Sequence, residues 1–129
     1  MTSIKDKGQP APQEYFTGTV HMNRVVTPED GLNCIVIKVA FEHGARTNWH
    51  THAHGQILIV TEGIGYYQEM GKAIQLIYEG DVVKIPANIK HWHGASANDS
   101  MTHTAIVPTG ENSTDWMEPV TDEEYNNFH

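Results

Sequence analysis

A chain of 129 residues with a hydrophobic fraction of 39% is long enough to bury a core in one domain, expected over 1–129, and its single cysteine offers no internal disulfide. Eight basic against 16 acidic residues give a net charge of −8, and with no Lys/Arg cluster anywhere this speaks against nucleic acid and anionic membranes as partners. No apolar run approaches the ~20 residues of a bilayer span, and the polar start MTSIKDKGQPAPQ lacks a secretory apolar stretch, so a cytoplasmic protein is expected.

Residues 1–14, with Pro10 and Pro12, read as an extended arm. Segments rich in Val, Ile, Tyr and Thr then predict strands over 16–26, 33–41, 56–61, 64–69, 73–78, 81–85 and 102–107. PEDG, EHG, TEG, MGK, EGD and ANDS lie between or beside them and supply the Gly, Asn and Asp of chain reversals. Strands at this spacing without helical patterns predict an all-β, antiparallel sandwich or barrel. Cys34 falls in the apolar run CIVIKVAF and is expected as a buried strand thiol. Only the end looks helical: Thr121-Asp122-Glu123-Glu124 has the form of a capping box, opening a short helix over 121–128.

The unusual residue is histidine. Five of the nine fall in HTHAH at 50–54 and HWH at 91–93. On a strand, residues i and i+2 share a face, so His50 and His52 project together, Gln56 keeps their parity across Gly55, and His91 and His93 form a second pair. Two inward imidazole pairs in one small barrel converge, and imidazole nitrogens with an amide oxygen suit Zn, Fe, Mn, Ni or Co. His93 is placed to act as a general base beside such an ion. His103, in MTHTAIV, points inward if Ala105 and Val107 do. His54 is expected at a bend as a gate or supporting residue, and His21, His43 and His129 at the surface. Trp49 and Trp92 have the opposite parity and should pack outward on another layer or a partner subunit. Arg46 is expected to pair with an acid near the motif and hold the loop. Ile37, Val39, Leu58 and Val107 are expected to line an apolar pocket suited to a small aldehyde rather than an anion.

These motifs resemble the cupin superfamily. Its first motif is Gly, five residues, His-x-His, three or four residues, an acid, six residues and Gly; here it reads Gly44-ARTNW-His50-T-His52-AHG-Gln56-ILIVTE-Gly63. Its second, Gly, five residues, Pro-x-Gly, two residues, His, three residues and Asn, reads Gly80-DVVKI-Pro86-A-Asn88-IK-His91-WHG. The resemblance implies a double-stranded β-helix (jelly roll) carrying one divalent metal ion. Three positions depart from it: Gln56 replaces the usual Glu, Asn88 a Gly, and Ala95 stands where Asn is common. A neutral amide in place of a carboxylate leaves the full double charge on the ion, making it a stronger Lewis acid and less suited to oxygen activation.

The strings YFTGTV, GARTNWHTHAHGQ, LIVTEGIG, GDVVKIP, KHWHGA, MTHTAI and DWMEPVTDEEY are similar to those of the bacterial cupin-type hydroxynitrile lyases, from Tyr15 to Tyr125. That similarity implies manganese or a similar ion on His50, His52, Gln56 and His91, with His93 and His103 as acid/base or supporting histidines, and cleavage or assembly of cyanohydrins. A cupin dioxygenase acting on a small aromatic or diketone, and a non-catalytic metal or small-ligand binder, are the alternatives. The exposed strand edges of a small barrel and its arm lead to an expected homodimer or homotetramer.

Overall fold

The computed structural model describes residues 2–109 and 113–128; the expected surface position of His129 lies outside them. Twelve strands are arranged antiparallel: β1 (Gln9–Pro10), β2 (Phe16–Thr17), β3 (Val20–Val26), β4 (Cys34–Phe41), β5 (Arg46–Thr47), β6 (His50–His52), β7 (Gln56–Glu69), β8 (Gln75–Tyr78), β9 (Val82–Ile85), β10 (His91–Ala95), β11 (Met101–Pro108) and β12 (Thr114–Trp116). PEDG forms one 3-10 turn, Pro28–Asp30, and α1 covers Asp122–Tyr125.

One face of the fold is the sheet β1-β3-β4-β11-β7-β9, and the other is β2-β5-β10-β7-β8 with β6 and β12 attached through β10. The 14-residue strand β7 belongs to both: Ile57 to Gly63 pair with β11, and Gly65 to Glu69 with β10. The sheet therefore curls around one interior, the expected jelly-roll arrangement.

Two strands expected at 56–61 and 64–69 are thus one. TEG does not reverse the chain; it turns the corner between sheets. Gly63 has φ +79, and a Cβ there would stand 1.9 Å from the Ser100 carbonyl, so β7 passes β11 only without a side chain. The segment expected as a single strand at 16–26 divides for the complementary reason: β2 pairs with β5 in one sheet, and β3 with β1 and β4 in the other. The arm is partly a strand, since β1 adds an edge to β3 where the Pro10 nitrogen needs no ladder partner.

Strand alternation sorts the side chains. Val39, Phe41, Leu58, Val60, Tyr67, Ile77, Ile85, Met101 and Ala105 belong to the interior core. Cys34 begins β4 half buried rather than enclosed, because it lies at the strand end. Trp49 and Trp92 leave the opposite face of the second sheet, as their parity requires, and pack with Tyr66, Ile74, Val120 and Tyr125. The covering layer comes from this chain's own C-terminal segment.

That layer is fastened at Arg46. Its guanidinium donates to the Val120 carbonyl at 2.8 Å, pairs with Asp122 at 2.8 Å, and lies 4.5 Å over the Tyr125 ring. The acid is not one near the motif, as expected, but Asp122, 76 residues away at the start of α1, because the C-terminal segment folds back over the second sheet. The capping box is present: Glu124 N–H donates to Thr121 Oγ1 at 3.1 Å, and Thr121 N–H to Glu124 Oε1 at 2.9 Å. The helix stops at Tyr125, shorter than 121–128, because one turn has no helical neighbour to extend it. The chain continues with Phe128 stacked on Tyr66.

Tyr125 Oη donates to the buried Ala95 carbonyl at 2.7 Å. Tyr125→Phe leaves that acceptor unpaired and is expected to lower the unfolding free energy by about 1 kcal/mol, and Tyr125→Ala by about 3 kcal/mol or more. Urea denaturation reads both; a Phe variant as stable as the native chain would show that the hydroxyl contributes nothing.

Candidate metal centre

Four imidazoles meet where β6 and β10 pair, and a fifth, His103 of β11, packs against His93. His50 and His91 are register partners on β6 and β10, with ring centroids 4.2 Å apart. His52 lies 5.0 Å from His50, and His93 5.4 Å from it. One ring nitrogen each of His50, His91 and His93 lies within 4.8 Å of the others. His52 is outside that trio. Gln56, the first residue of β7, is half buried with its Oε1 enclosed.

The bend that carries Gln56 back into line is made at Gly55. Its φ is +81, and a Cβ there would stand 2.6 Å from the Ile85 carbonyl. Asn88 occupies the departure from the second motif with φ +60, the only positive value outside glycine among the described residues. Asn tolerates the left-handed region better than most side chains, so the turn of the motif survives without its glycine. The Asn88 N–H donates to the His52 carbonyl at 2.8 Å and ties the two histidine segments together.

A neutral imidazole has one donor and one acceptor nitrogen, so whatever occupies Nδ1 decides what Nε2 can do. His50 Nδ1 meets the Asn48 carbonyl at 2.9 Å, and His91 Nδ1 the Ile89 carbonyl at 2.8 Å. A carbonyl only accepts, so both Nδ1 atoms carry hydrogen and both Nε2 atoms present lone pairs. His52 Nδ1 is 3.0 Å from Thr114 Oγ1. His93 Nδ1 is 3.1 Å from His103 Nε2.

Burial holds the rings neutral. It is the leading cause that puts His50 and His93 well below the ordinary histidine value, with neighbouring histidines adding to it. It likewise lowers His91 to about 4 and His103 to about 3. His52 is lowered by burial against the opposing effect of Gln56. Neutral imidazole is the form that ligates a metal.

The Nε2 atoms of His52, His91 and His93, the Nδ1 of His103 and the Oε1 of Gln56 are buried without a hydrogen-bond partner. An unpartnered buried polar atom costs about 1–3 kcal/mol, and those of His52, Gln56, His91 and His93 beside the His50–His91–His93 cluster mark a site built for a guest. Imidazole nitrogens with an amide oxygen are donors suited to a divalent transition metal. The residues fit one.

Beside this cluster lies a cavity of about 160 Å³. His50, His52, Gln56, His93 and His103 form its polar end. Ile35, Ile37, Val39 and Phe41 from one face of β4, with Phe16, Met22, Ala105, Val107 and Trp116, form the apolar remainder, and no carboxylate lines it among the described residues. Ile37, Val39 and Val107 stand where expected. Leu58 does not: it is fully buried in the packed core with Val60 and Ile85.

His103 points inward with Ala105, as its parity predicts. His54 is exposed in the bend before Gly55. His43 is exposed, whereas His21, expected at the surface, is half buried on β3 with Nδ1 enclosed. Several lining residues carried no sequence expectation as part of the site: Phe16, Met22, Ile35, Phe41, Thr47, Thr114 and Trp116. Phe41 continues the β4 face already marked by Ile37 and Val39, so alternation alone would have found it. Thr47 accepts from the His93 N–H at 3.3 Å, while Thr114 and Trp116 reach His52 and His50 from β12. No local pattern announces a three-residue strand whose partner lies some sixty residues earlier.

A cupin domain model matches residues 37–107. The chain is 47% identical over 115 residues to a protein of Granulicella tundricola named (R)-mandelonitrile lyase, covering 88% of each. Among solved structures, a cupin-like protein of Thermotoga maritima superposes with a TM-score of 0.91 at 45% identity, over 95% of this chain and 94% of the other. A cupin 2 conserved barrel domain protein of Rhodopseudomonas palustris does so with a TM-score of 0.73 at 20% identity, over 90% and 78%, a likeness of fold. With motifs, topology and histidine geometry in agreement, this chain belongs to the cupin domain family.

Proposed function

We propose that this protein is a divalent-metal-dependent lyase that cleaves or forms cyanohydrins, with the ion, manganese or a similar metal, held by His50, His52, Gln56 and His91. The observation that carries the proposal is the cavity itself: unpartnered nitrogens and one amide oxygen at one end, apolar walls elsewhere, and no carboxylate. The relative named (R)-mandelonitrile lyase supplies the reaction class. When bound, the ion supplies Lewis acidity that favours negative charge on a substrate oxygen.

The chain's own residues account for the rest. The β4 face and Val107 surround an aryl or alkyl group and keep water from it. His93 and His103, hydrogen bonded to each other and neutral, form a pair able to take a proton from a substrate hydroxyl at His93 Nε2, the nitrogen left without a partner. In the direction of synthesis the same nitrogen returns it. Thr47 holds the His93 backbone in place. The neutral lining suits a neutral aldehyde and cyanohydrin better than an anionic acid.

His93 competes with His52 for membership of the ligand set, since the tightest nitrogen trio contains it. Metal content by mass spectrometry, on protein purified without a nickel column, separates the two. His52→Ala and His91→Ala are expected to lose the ion and His93→Ala to retain it; the opposite result for His52 and His93 would exchange their roles. Mandelonitrile cleavage by the metal-loaded protein tests the reaction. His103→Ala is expected to lower kcat about 100-fold or more at unchanged metal content, and a native protein without cleavage activity would refute the lyase assignment.

A further inference from the structure

We propose that Thr114 is a positioning residue for the metal centre, its hydroxyl accepting the His52 Nδ1–H and so fixing the tautomer that turns a lone pair toward the ion. The inference rests on the assignment of His52 as a ligand.

The three histidines on that list are secured in two different ways. His50 and His91 give their Nδ1 hydrogens to the carbonyls of Asn48 and Ile89, each two residues upstream. These acceptors belong to the backbone and remain whatever side chains stand there. His52 has a side-chain hydroxyl instead, Thr114 Oγ1 at 3.0 Å, from a residue 62 positions later. A hydroxyl both donates and accepts, so the bond leaves two arrangements open. If Thr114 donated, His52 would carry its hydrogen on Nε2, which is buried without a partner. If Thr114 accepts, the hydrogen sits on Nδ1 and Nε2 presents a lone pair to the point where the nitrogens of the other rings converge. Only the second agrees with a ligand.

β12 is built to deliver this contact. Among the described residues it pairs with β6 alone, with Thr114 opposite His52 and Trp116 opposite His50. The Trp116 ring lies 4.6 Å from His50 and is itself stacked on Tyr15 at 4.6 Å. The strand thereby sets its register through Trp116 and places the hydroxyl through Thr114. Thr114 is exposed apart from this contact, while His52 is buried. Its replacement by a residue of the same shape opens no core cavity, and its effect should be confined to the imidazole.

The test compares Thr114→Val, Thr114→Ser and His52→Ala, with affinity for Mn2+ measured by competition against a fluorescent chelator and circular dichroism as the check of folding. Loss of a hydrogen-bond partner outside the ligands typically weakens metal binding about 10–100-fold. Thr114→Val is expected to show a loss in that range, and Thr114→Ser to restore native affinity because it keeps the acceptor. Equal weakening by Val and Ser would assign the effect to packing of β12 and overturn the proposal. Native affinity in Thr114→Val, alongside loss of metal in His52→Ala, would overturn it while leaving the ligand assignment intact. Native affinity in His52→Ala would remove His52 from the ligand set, and Thr114's role with it.

Discussion

The site depends on one constraint: each imidazole at the centre must spend its outer nitrogen on an acceptor so that its inner nitrogen keeps a lone pair. For His50 and His91 the acceptor is the carbonyl two residues back, so the backbone entering β6 and β10 sets the chemistry of the rings. That backbone is itself clamped. Asn48, buried, donates from its amide to the carbonyls of Glu14 and Met117 at 3.1 and 3.2 Å, which holds its own carbonyl toward His50. Ile89 follows the left-handed Asn88, whose N–H is bonded to the His52 carbonyl. The two histidine segments thus hold each other, and neither would keep its ring orientation if the other shifted.

Both faces of the second sheet contribute to this. Its inner face carries His50, His52, His91 and His93, and its outer face carries Trp49 and Trp92 under a lid made by Val120, Tyr125 and Phe128. Because β6 and β10 are short, they have few ladder bonds with which to resist displacement. The outer aromatic layer supplies what they lack. Trp92 Nε1 donates to Gln68 Oε1 at 2.8 Å, and Arg46 pins the C-terminal segment at Val120 and Asp122. A stability element remote from the cavity, the capped turn at Thr121, therefore bears on the imidazoles through one layer of rings. The same covering helps keep the imidazoles at the centre neutral, since desolvation by burial is the first cause of each lowered value.

What could be read in the sequence was whatever a period of two controls. Alternation placed His50 with His52, His91 with His93, His103 with Ala105, and the two tryptophans on the far side. It also marked Ile37 and Val39, and carried two positions further each way it reaches Ile35 and Phe41. It failed where the chain bends. Leu58 shares the parity of Gln56, yet β7 has by then moved into the packed core, so parity did not decide which inward residues meet the cavity. It failed also at TEG, because a glycine in the left-handed region looks alike whether it reverses a chain or turns it from one sheet to the next. Thr47, Thr114 and Trp116 were hidden for another reason: the strands that carry them are two and three residues long and exist only through partners far along the chain. The resemblance to cupins suggested a ligand set without showing what holds those side chains.

Gln56 shows how a single atom's charge bears on the chemistry. A glutamate at this position would place a negative oxygen in a cavity that otherwise has none, and in a dry site its field would be felt strongly. In the proposed reaction it would pair with the cation, lower that cation's effective charge, and repel an alkoxide or cyanide forming beside it. The amide offers a lone pair at the same reach without the charge, leaving the attraction available for whatever develops on the substrate. The carboxylate acting on His91 among the described residues, Glu69, is taken up by Tyr67 at 2.8 Å and Lys72 at 3.0 Å at the end of β7. An acidic surface attracts a cation, while a neutral interior lets it keep its charge; a carboxylate at position 56 would keep the first property and lose the second.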